Sequence, residues 1–181
     1  VSLSWLFNNA DDFKPVESNA NLEDIAFLVC RGGWPMAVVT EEKKPALKQA
    51  YNYLDALLFQ ETNDDPDNIS KMNPEWTRAI LRSYSRLIGS SASINVIYED
   101  SLKPGNVSYS NATLENYLRY LSRLFVFEDM SAWNPNLRSK TAVRTTPTRY
   151  MLDPSVAVAA LGLGPGALLQ DLETFGFLFE N

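Results

Sequence analysis

Few residues of this chain are suited to catalysis. The 181 residues include no histidine and one cysteine, Cys30. Without histidine there is no Ser-His-Asp or Cys-His arrangement, and the usual zinc ligand sets are absent. Cys30 ends the apolar run "DIAFLVC", which is typical of a small buried side chain in a reducing compartment. The acidic clusters at residues 11–12 and 64–67 are typical of solvated loops, although weak metal binding by carboxylates stays open. The residue types therefore favour binding over catalysis.

Binding chemistry is concentrated in one basic segment, residues 131–150, which contains four basic residues and no acid. These four are Arg138, Lys140, Arg144 and Arg149. Elsewhere the charge is unfavourable for nucleic acid: residues 1–72 hold 6 Lys and Arg against 12 Asp and Glu, and residues 73–181 hold 10 of each. The net charge of -6 argues against a general nucleic-acid binder, while the basic segment keeps one local site open.

A helix directly before that segment could read DNA. In "SNATLENYLRYLSRLFVFEDM", Ser110 or Asn111 can cap the helix, and the leucines and Tyr117 recur at helical spacing as a core face. The opposite face holds Asn111, Ala112, Glu115, Asn116, Arg119, Ser122 and Arg123. Asn suits adenine and Arg suits guanine, and the basic loop could hold phosphates, whereas Glu115 would repel them. The candidate contacts to DNA or to a partner are Asn111, Asn116, Arg119, Arg123, Arg138, Lys140 and Arg144.

The surrounding pattern predicts a mainly α fold with a minor β component. Asn21 is expected to cap a helix that Gly32 and Gly33 end, and residues 41–61 form a second helix with Pro45 in its first turn. A polar linker follows at residues 62–73.

After the linker, the expected order is that of a winged helix-turn-helix. A helix over residues 74–88 comes first, then a short helix "SINVIYEDSL", a turn, the reader helix and two strands, "FVFEDM" and "TRYMLD". The two strands would form a small β-hairpin wing. On the first helix, Arg78, Arg82 and Arg86 recur every four residues, so they share a face. This face is expected to be solvated, and the alternative is a stripe that faces phosphates or a partner.

The tail is expected to be helical. Pro154 to Leu161 is a short apolar helix that Gly162 ends, and "ALLQDLETFGFLFEN" begins another helix. The apolar side chains of that last helix should pack against a neighbour, and they are Leu168, Leu172, Phe175, Leu178 and Phe179.

Several ordered segments resemble a known family. They are "CRGGWP", "LRSYSRLIGSSASINVIYED", "TLENYLRYLSRLFVFEDMSAWNPNLRSK", "RYMLDPSVAVAALGL" and "LLQDLETFGFLFEN". Together they look like the C-terminal domain-of-unknown-function region of bacterial and archaeal AAA-type ATPases of the AAA-14 kind. The resemblance implies an upstream P-loop ATPase that would bind ATP and Mg²⁺. No GxxxxGK[ST] occurs here, so we expect this chain to be a fragment without cofactors of its own.

The resemblance also implies a division into three parts. Residues 1–65 would form a helical subdomain adjoining the ATPase, residues 73–153 a winged-helix-like domain, and residues 154–181 the truncated start of a restriction-endonuclease-like fold. Only Glu173 matches the metal-site positions of that fold, and one carboxylate cannot hold Mg²⁺ for hydrolysis, so no nuclease activity is expected.

The sequence thus leaves two functions open. The first is a non-catalytic accessory module that couples a prokaryotic ATPase to a protein partner or to further copies of itself. The second is a winged-helix DNA-binding domain that uses residues 110–124 and the basic loop at 131–150. No apolar run is long enough to predict a membrane span, and the chain is expected to be cytoplasmic.

Overall fold

The computed structural model describes residues 3–8, 18–59, 72–131 and 146–181, and within them the fold is mainly helical. The predicted mainly α class is confirmed. No helix in this part of the chain is both long and apolar enough to cross a membrane. The helices are α1 (Leu3–Asn8), α2 (Leu22–Arg31), α3 (Pro35–Val39), α4 (Lys43–Phe59), α5 (Pro74–Arg86), α6 (Ile94–Leu102), α7 (Asn111–Arg123), α8 (Pro154–Leu161), α9 (Pro165–Leu168) and α10 (Leu172–Phe179).

Helix α2 begins as its sequence predicts. The Asn21 side chain accepts a hydrogen bond from the Asp24 amide at 2.9 Å, and the Asp24 carboxylate accepts one from the Asn21 amide at 3.1 Å. This reciprocal capping box satisfies two amides that have no partner inside the helix. The helix ends at Gly32, whose φ of 71° lies in the left-handed region that favours glycine.

Helices α5, α6 and α7 follow one another as expected, with α6 packed against both others. Contacts at the start of α5 also join it to α7. The backbone amide of Asn73 donates to the Tyr117 hydroxyl at 2.8 Å, and the centroids of the Trp76 and Tyr117 rings lie 6.2 Å apart. Leu114, Leu118 and Leu121 of α7 are buried in the same core. The leucine ladder of α7 is therefore a core face.

The expected hairpin is reduced to two isolated antiparallel bridges, Phe127 with Met151 and Met130 with Thr148. No extended sheet forms among the described residues. A third segment joins the same backbone, because the Gly89 amide donates to the Arg149 carbonyl at 2.8 Å and the Arg149 amide to the Ser90 carbonyl at 2.9 Å. Residues 126–130 and 148–152 thus form a short ribbon, which backbone hydrogen bonds tie to the turn after α5.

Helix α8 lies at the centre of the structure. Its predicted bounds, Pro154–Leu161 with Gly162 at the C-terminal end, are confirmed. It packs against α2, α4 and α5, and five of its eight residues are buried. Because other helices enclose it on several sides, apolar residues occur all around the helix rather than on one face. Residues from α2 to α10 contribute to one hydrophobic core, whereas the predicted division into three parts remains a prediction.

The last predicted helix is instead two helices, α9 and α10. The break comes at Asp171, whose carboxylate accepts hydrogen bonds from the Thr174 amide at 3.0 Å and the Thr174 hydroxyl at 2.7 Å. Aspartate caps a new helix because its side chain replaces the missing backbone acceptor. Packing of the tail is confirmed only for its inner side chains. Leu168, Phe175 and Leu178 are buried, whereas Leu172 and Phe179 are exposed.

Candidate interaction surfaces

The outer face of α7 is open to solvent. Ser110 caps the helix by accepting a hydrogen bond from the Thr113 amide at 3.1 Å. Asn116, Arg119 and Arg123 are exposed, as the helical pattern predicts, and so is Glu115. Glu115 and Arg119 are one helical turn apart, so opposite charges alternate on this face. The other predicted contact residues, Arg138, Lys140 and Arg144, lie outside the described residues.

Asn111 is less accessible than the rest of the α7 face. Its side-chain nitrogen donates to the Asn95 amide oxygen of α6 at 2.9 Å. Its own amide oxygen is buried and has no hydrogen-bond partner. The first turn of α7 is thus tied to α6, and Asn111 would have to break this hydrogen bond before its nitrogen could contact a base.

Arg149, counted above with the basic segment, is buried rather than exposed. Only 6% of it is accessible, its guanidinium forms an ion pair with Asp129, and its Nε donates to the Ala92 carbonyl at 3.0 Å. The buried Tyr84 hydroxyl donates to the other oxygen of Asp129. Burial and the Asp129 carboxylate raise the pKa of Tyr84, so its hydroxyl stays protonated. The positive charge of Arg149 is therefore neutralised inside the protein by Asp129. The sequence pattern did not predict this buried ion pair.

Asn181 pairs with the outer edge of the ribbon, on residues 148–152. Its side-chain oxygen accepts from the Met151 amide at 2.7 Å, and its nitrogen donates to the Met151 carbonyl at 2.9 Å. On the same edge, Arg149 is paired with residues 89–90. An edge with unpaired amides and carbonyls can recruit another strand, and these contacts cover it. The ribbon edge is therefore a weak candidate for docking a partner.

The segment "GGWP" serves packing. The Gly33 amide donates to the Asp153 carboxylate at 2.7 Å, and the Trp34 indole donates to the Ser155 hydroxyl at 2.9 Å. Ser155 in turn donates to Asp153 at 2.6 Å. We call these contacts between residues 32–34 and residues 153–155 the α2–α8 lock. Although a serine beside an aspartate resembles a nucleophile and its partner, Ser155 is fully buried and its hydroxyl is already committed.

The arginine stripe of α5 is solvated, as predicted, and Arg78, Arg82 and Arg86 are all exposed. Arg86 forms an ion pair with Asp100 of α6 at 2.5 Å. Burial opposes ionisation of Asp100, but hydrogen bonds from Arg86, Ser83 and Lys103 outweigh it and hold the pKa of this carboxyl below its usual value. Arg82 and Arg86 line a cleft of about 390 Å³ together with Thr174 of α10. Of the three arginines, Arg86 thus joins α5 to α6.

An apolar groove runs between the start of α2 and the length of α10. Its volume is about 290 Å³, and it is lined by Leu22, Ile25, Leu172, Phe175, Gly176 and Phe179. Phe175 is buried and forms its floor. Leu22, Leu172 and Phe179 are exposed by 49%, 59% and 62% of their surfaces. We call this surface the α2–α10 groove. Adjacent exposed apolar side chains of this kind mark an interaction site more often than scattered ones.

Comparison with known proteins gives a family. A family model described as "Domain of unknown function (DUF8612)" matches residues 22–167, which include both sides of the α2–α8 lock. The chain belongs to the DUF8612 family. None of the curated proteins and none of the solved structures matches it. The DUF8612 match does not name an ATPase, so the resemblance to regions attached to AAA-type ATPases stays a prediction.

Sequence reading of this DUF8612 chain missed the groove because α2 and α10 lie far apart in sequence. A partial signal was present, since Leu172, Phe175, Gly176 and Phe179 follow helical spacing. In the described part of the chain, no three Asp, Glu or Cys side chains are close enough to hold a metal ion. Glu173, the one position that matches the nuclease-like pattern, is exposed in the first turn of α10.

Proposed function

We propose that this DUF8612 chain is a non-catalytic interaction module that couples a prokaryotic AAA-type ATPase to a protein partner. The α2–α10 groove carries this proposal. Its side chains are large and apolar, and covering them would remove apolar surface from water at about 25 cal/mol per Å². The coupling to an ATPase rests on the sequence resemblance. ATP and Mg²⁺ would then be bound upstream, in a cytoplasmic protein.

A photo-crosslinking residue tests the proposal in the full-length protein inside cells. Placed at Leu172 or Phe179, it should give a discrete crosslinked protein. Placed at Val39, which is 71% exposed on α3 and outside the groove lining, it should not. ATP hydrolysis by the parent protein should respond to the crosslinked partner, and Phe179→Asp should abolish that response. The same products at Val39 and Phe179, or none at Phe179, would contradict the proposal.

We infer a winged-helix-like arrangement for residues 73–153, and it supports a second candidate function, DNA binding. Its support is the order α5, α6, α7 and ribbon, together with the hydrogen bonds that join Arg149 to residues 89–90. In such folds the third helix enters the major groove. Helix α7 would then present Asn116, Arg119 and Arg123, and the basic residues Arg138, Lys140 and Arg144 would contact the DNA backbone.

Fluorescence anisotropy with duplex DNA across a salt series tests this alternative. Release of counterions should make the affinity fall steeply as salt rises. Arg119→Glu should weaken binding strongly, whereas the exposed control Arg78→Glu on α5 should change it little. Absence of binding at low salt would exclude the DNA function and leave the interaction module.

A further inference from the structure

The α2–α10 groove has a size that suits side chains. Its volume of about 290 Å³ lies at the lower limit of pockets that enclose small-molecule ligands. It is open and elongated along α10, because Leu172, Phe175, Gly176 and Phe179 recur at intervals of three and four residues. A partner helix carries its own apolar side chains at the same intervals. The groove therefore matches an amphipathic helix better than a cofactor.

The α10 edge of the groove is acidic. Glu173 of α10 and the C-cap residue Glu180 are exposed and lie about 100° around the helix from Leu172 and Phe179, respectively, so they border the groove on its α10 side. Residues 161–181 contain no Lys or Arg, and the basic residue of α2, Arg31, lies in its last turn, at the opposite end from the groove. The apolar floor is thus bordered by negative charge along α10.

This charge disfavours a second copy of the chain as the occupant. In a symmetric dimer each residue of the patch faces the same patch on the partner, so Glu173 and Glu180 would meet the acids of the other copy. Helix α10 has no basic residue to compensate them. Like charges across an interface oppose association, whereas opposite charges accelerate it and select the partner.

We propose that the α2–α10 groove binds a basic amphipathic helix of a partner protein, with apolar side chains in the groove and Lys or Arg beside Glu173 and Glu180. This inference rests on the proposed function and specifies its partner. The apolar contacts supply affinity, and the acidic α10 edge determines which helices are accepted.

Synthetic helical peptides of matched length test the charge requirement on the whole chain. One carries a Leu stripe flanked by Lys, the second the same stripe flanked by Glu, and the third the Lys peptide in scrambled order. The Lys-stripe peptide should bind at least about tenfold more tightly than either control, a difference of about 1.4 kcal/mol. Phe179→Asp should weaken it by tenfold or more, whereas Val39→Asp should leave it unchanged. Chemical shifts on binding should concentrate on Leu22, Leu172 and Gly176.

Three results would overturn the inference. Equal affinity for the Glu-flanked peptide would show that the acids do not select the partner. Equal affinity for the scrambled peptide, or equal loss in Val39→Asp, would show binding by charge alone outside the groove. A dimer observed by analytical ultracentrifugation that dissociates in the Phe179→Asp variant would identify a second copy of the chain as the occupant. The crosslinking experiment separates the two proposals, since a crosslinked partner whose contact helix is acidic retains the interaction module and contradicts only the basic helix.

Discussion

Gly32→Ala should destabilise the protein far more than an ordinary glycine substitution. Gly32 has φ 71° and ψ -172°, a region that is essentially restricted to glycine. A methyl group there would lie 2.4 Å from Asp153 Oδ1 and from the Ser155 hydroxyl, and 2.8 Å from Asp153 Oδ2. Asp153 Oδ2 and the Ser155 hydroxyl accept the hydrogen bonds from Gly33 and Trp34, so the α2–α8 lock must open to admit the methyl group.

The expected cost follows from the separate contributions. Holding alanine in this backbone conformation costs about 1–3 kcal/mol. Opening the lock would weaken the hydrogen bonds from Gly33 to Asp153 and from Trp34 to Ser155, at about 1 kcal/mol each. The two together give a loss of about 3–5 kcal/mol. In a protein of this size, that loss should lower the melting temperature by roughly 10 °C.

Gly162→Ala is the matched control. Gly162 has the same φ of 71°, and a methyl group there would have no neighbour within 4 Å. The left-handed conformation alone should cost about 1–2 kcal/mol. Urea unfolding of both variants, followed by far-UV circular dichroism, measures the difference. If the two variants differed by less than about 1 kcal/mol, the close contact between residues 32–34 and residues 153–155 would be refuted.

Three further predictions concern single side chains. Because its folded pKa lies below the usual value, Asp100 stabilises the protein above about pH 4 and loses this effect as the pH falls through the lowered pKa. Asp100→Asn should lower the free energy of unfolding measured with urea at pH 7 by about 1 kcal/mol or less, and it should flatten the loss of stability below pH 4. Burial raises the pKa of Cys30 to about 12, so thiol reagents should label it only after unfolding; labelling of the native protein would contradict this. Phe125 has φ 56° and is 72% exposed, so Phe125→Gly should raise the free energy of unfolding in urea by about 0.5–1 kcal/mol; a decrease would show that the packing of the ring outweighs the relief of backbone strain.

Local signals predicted the helices well. Asn21, Ser110 and Gly162 mark helix ends in the sequence, and the structure places caps at these residues. Such signals act within a few residues, so they can be read from the chain directly. The same reading gave one helix for the tail because it overlooked Asp171, which starts α10.

The sequence pattern did not predict contacts between segments that are far apart in the chain. Gly33 and Asp153 are 120 residues apart, and nothing in either segment indicates the other. The short ribbon is another case, because its strands have β-type residues but form only isolated bridges. Strand formation depends on the partner backbone as well as on residue type. Here residues 126–130 and 148–152 pair over only a few residues, so no extended strand forms between them.

The buried position of Arg149 changes the balance between the two functions. Sequence composition counted four positive charges in residues 131–150, but Arg149 pairs with Asp129 inside the protein and offers no charge to a phosphate. On α7, Glu115 offsets part of the charge of Arg119 and Arg123. DNA binding therefore depends on Arg138, Lys140 and Arg144, which lie outside the described residues, more than composition indicates. The apolar groove needs no such contribution, since its lining residues all lie on the described helices α2 and α10, and a protein partner is accordingly the stronger hypothesis.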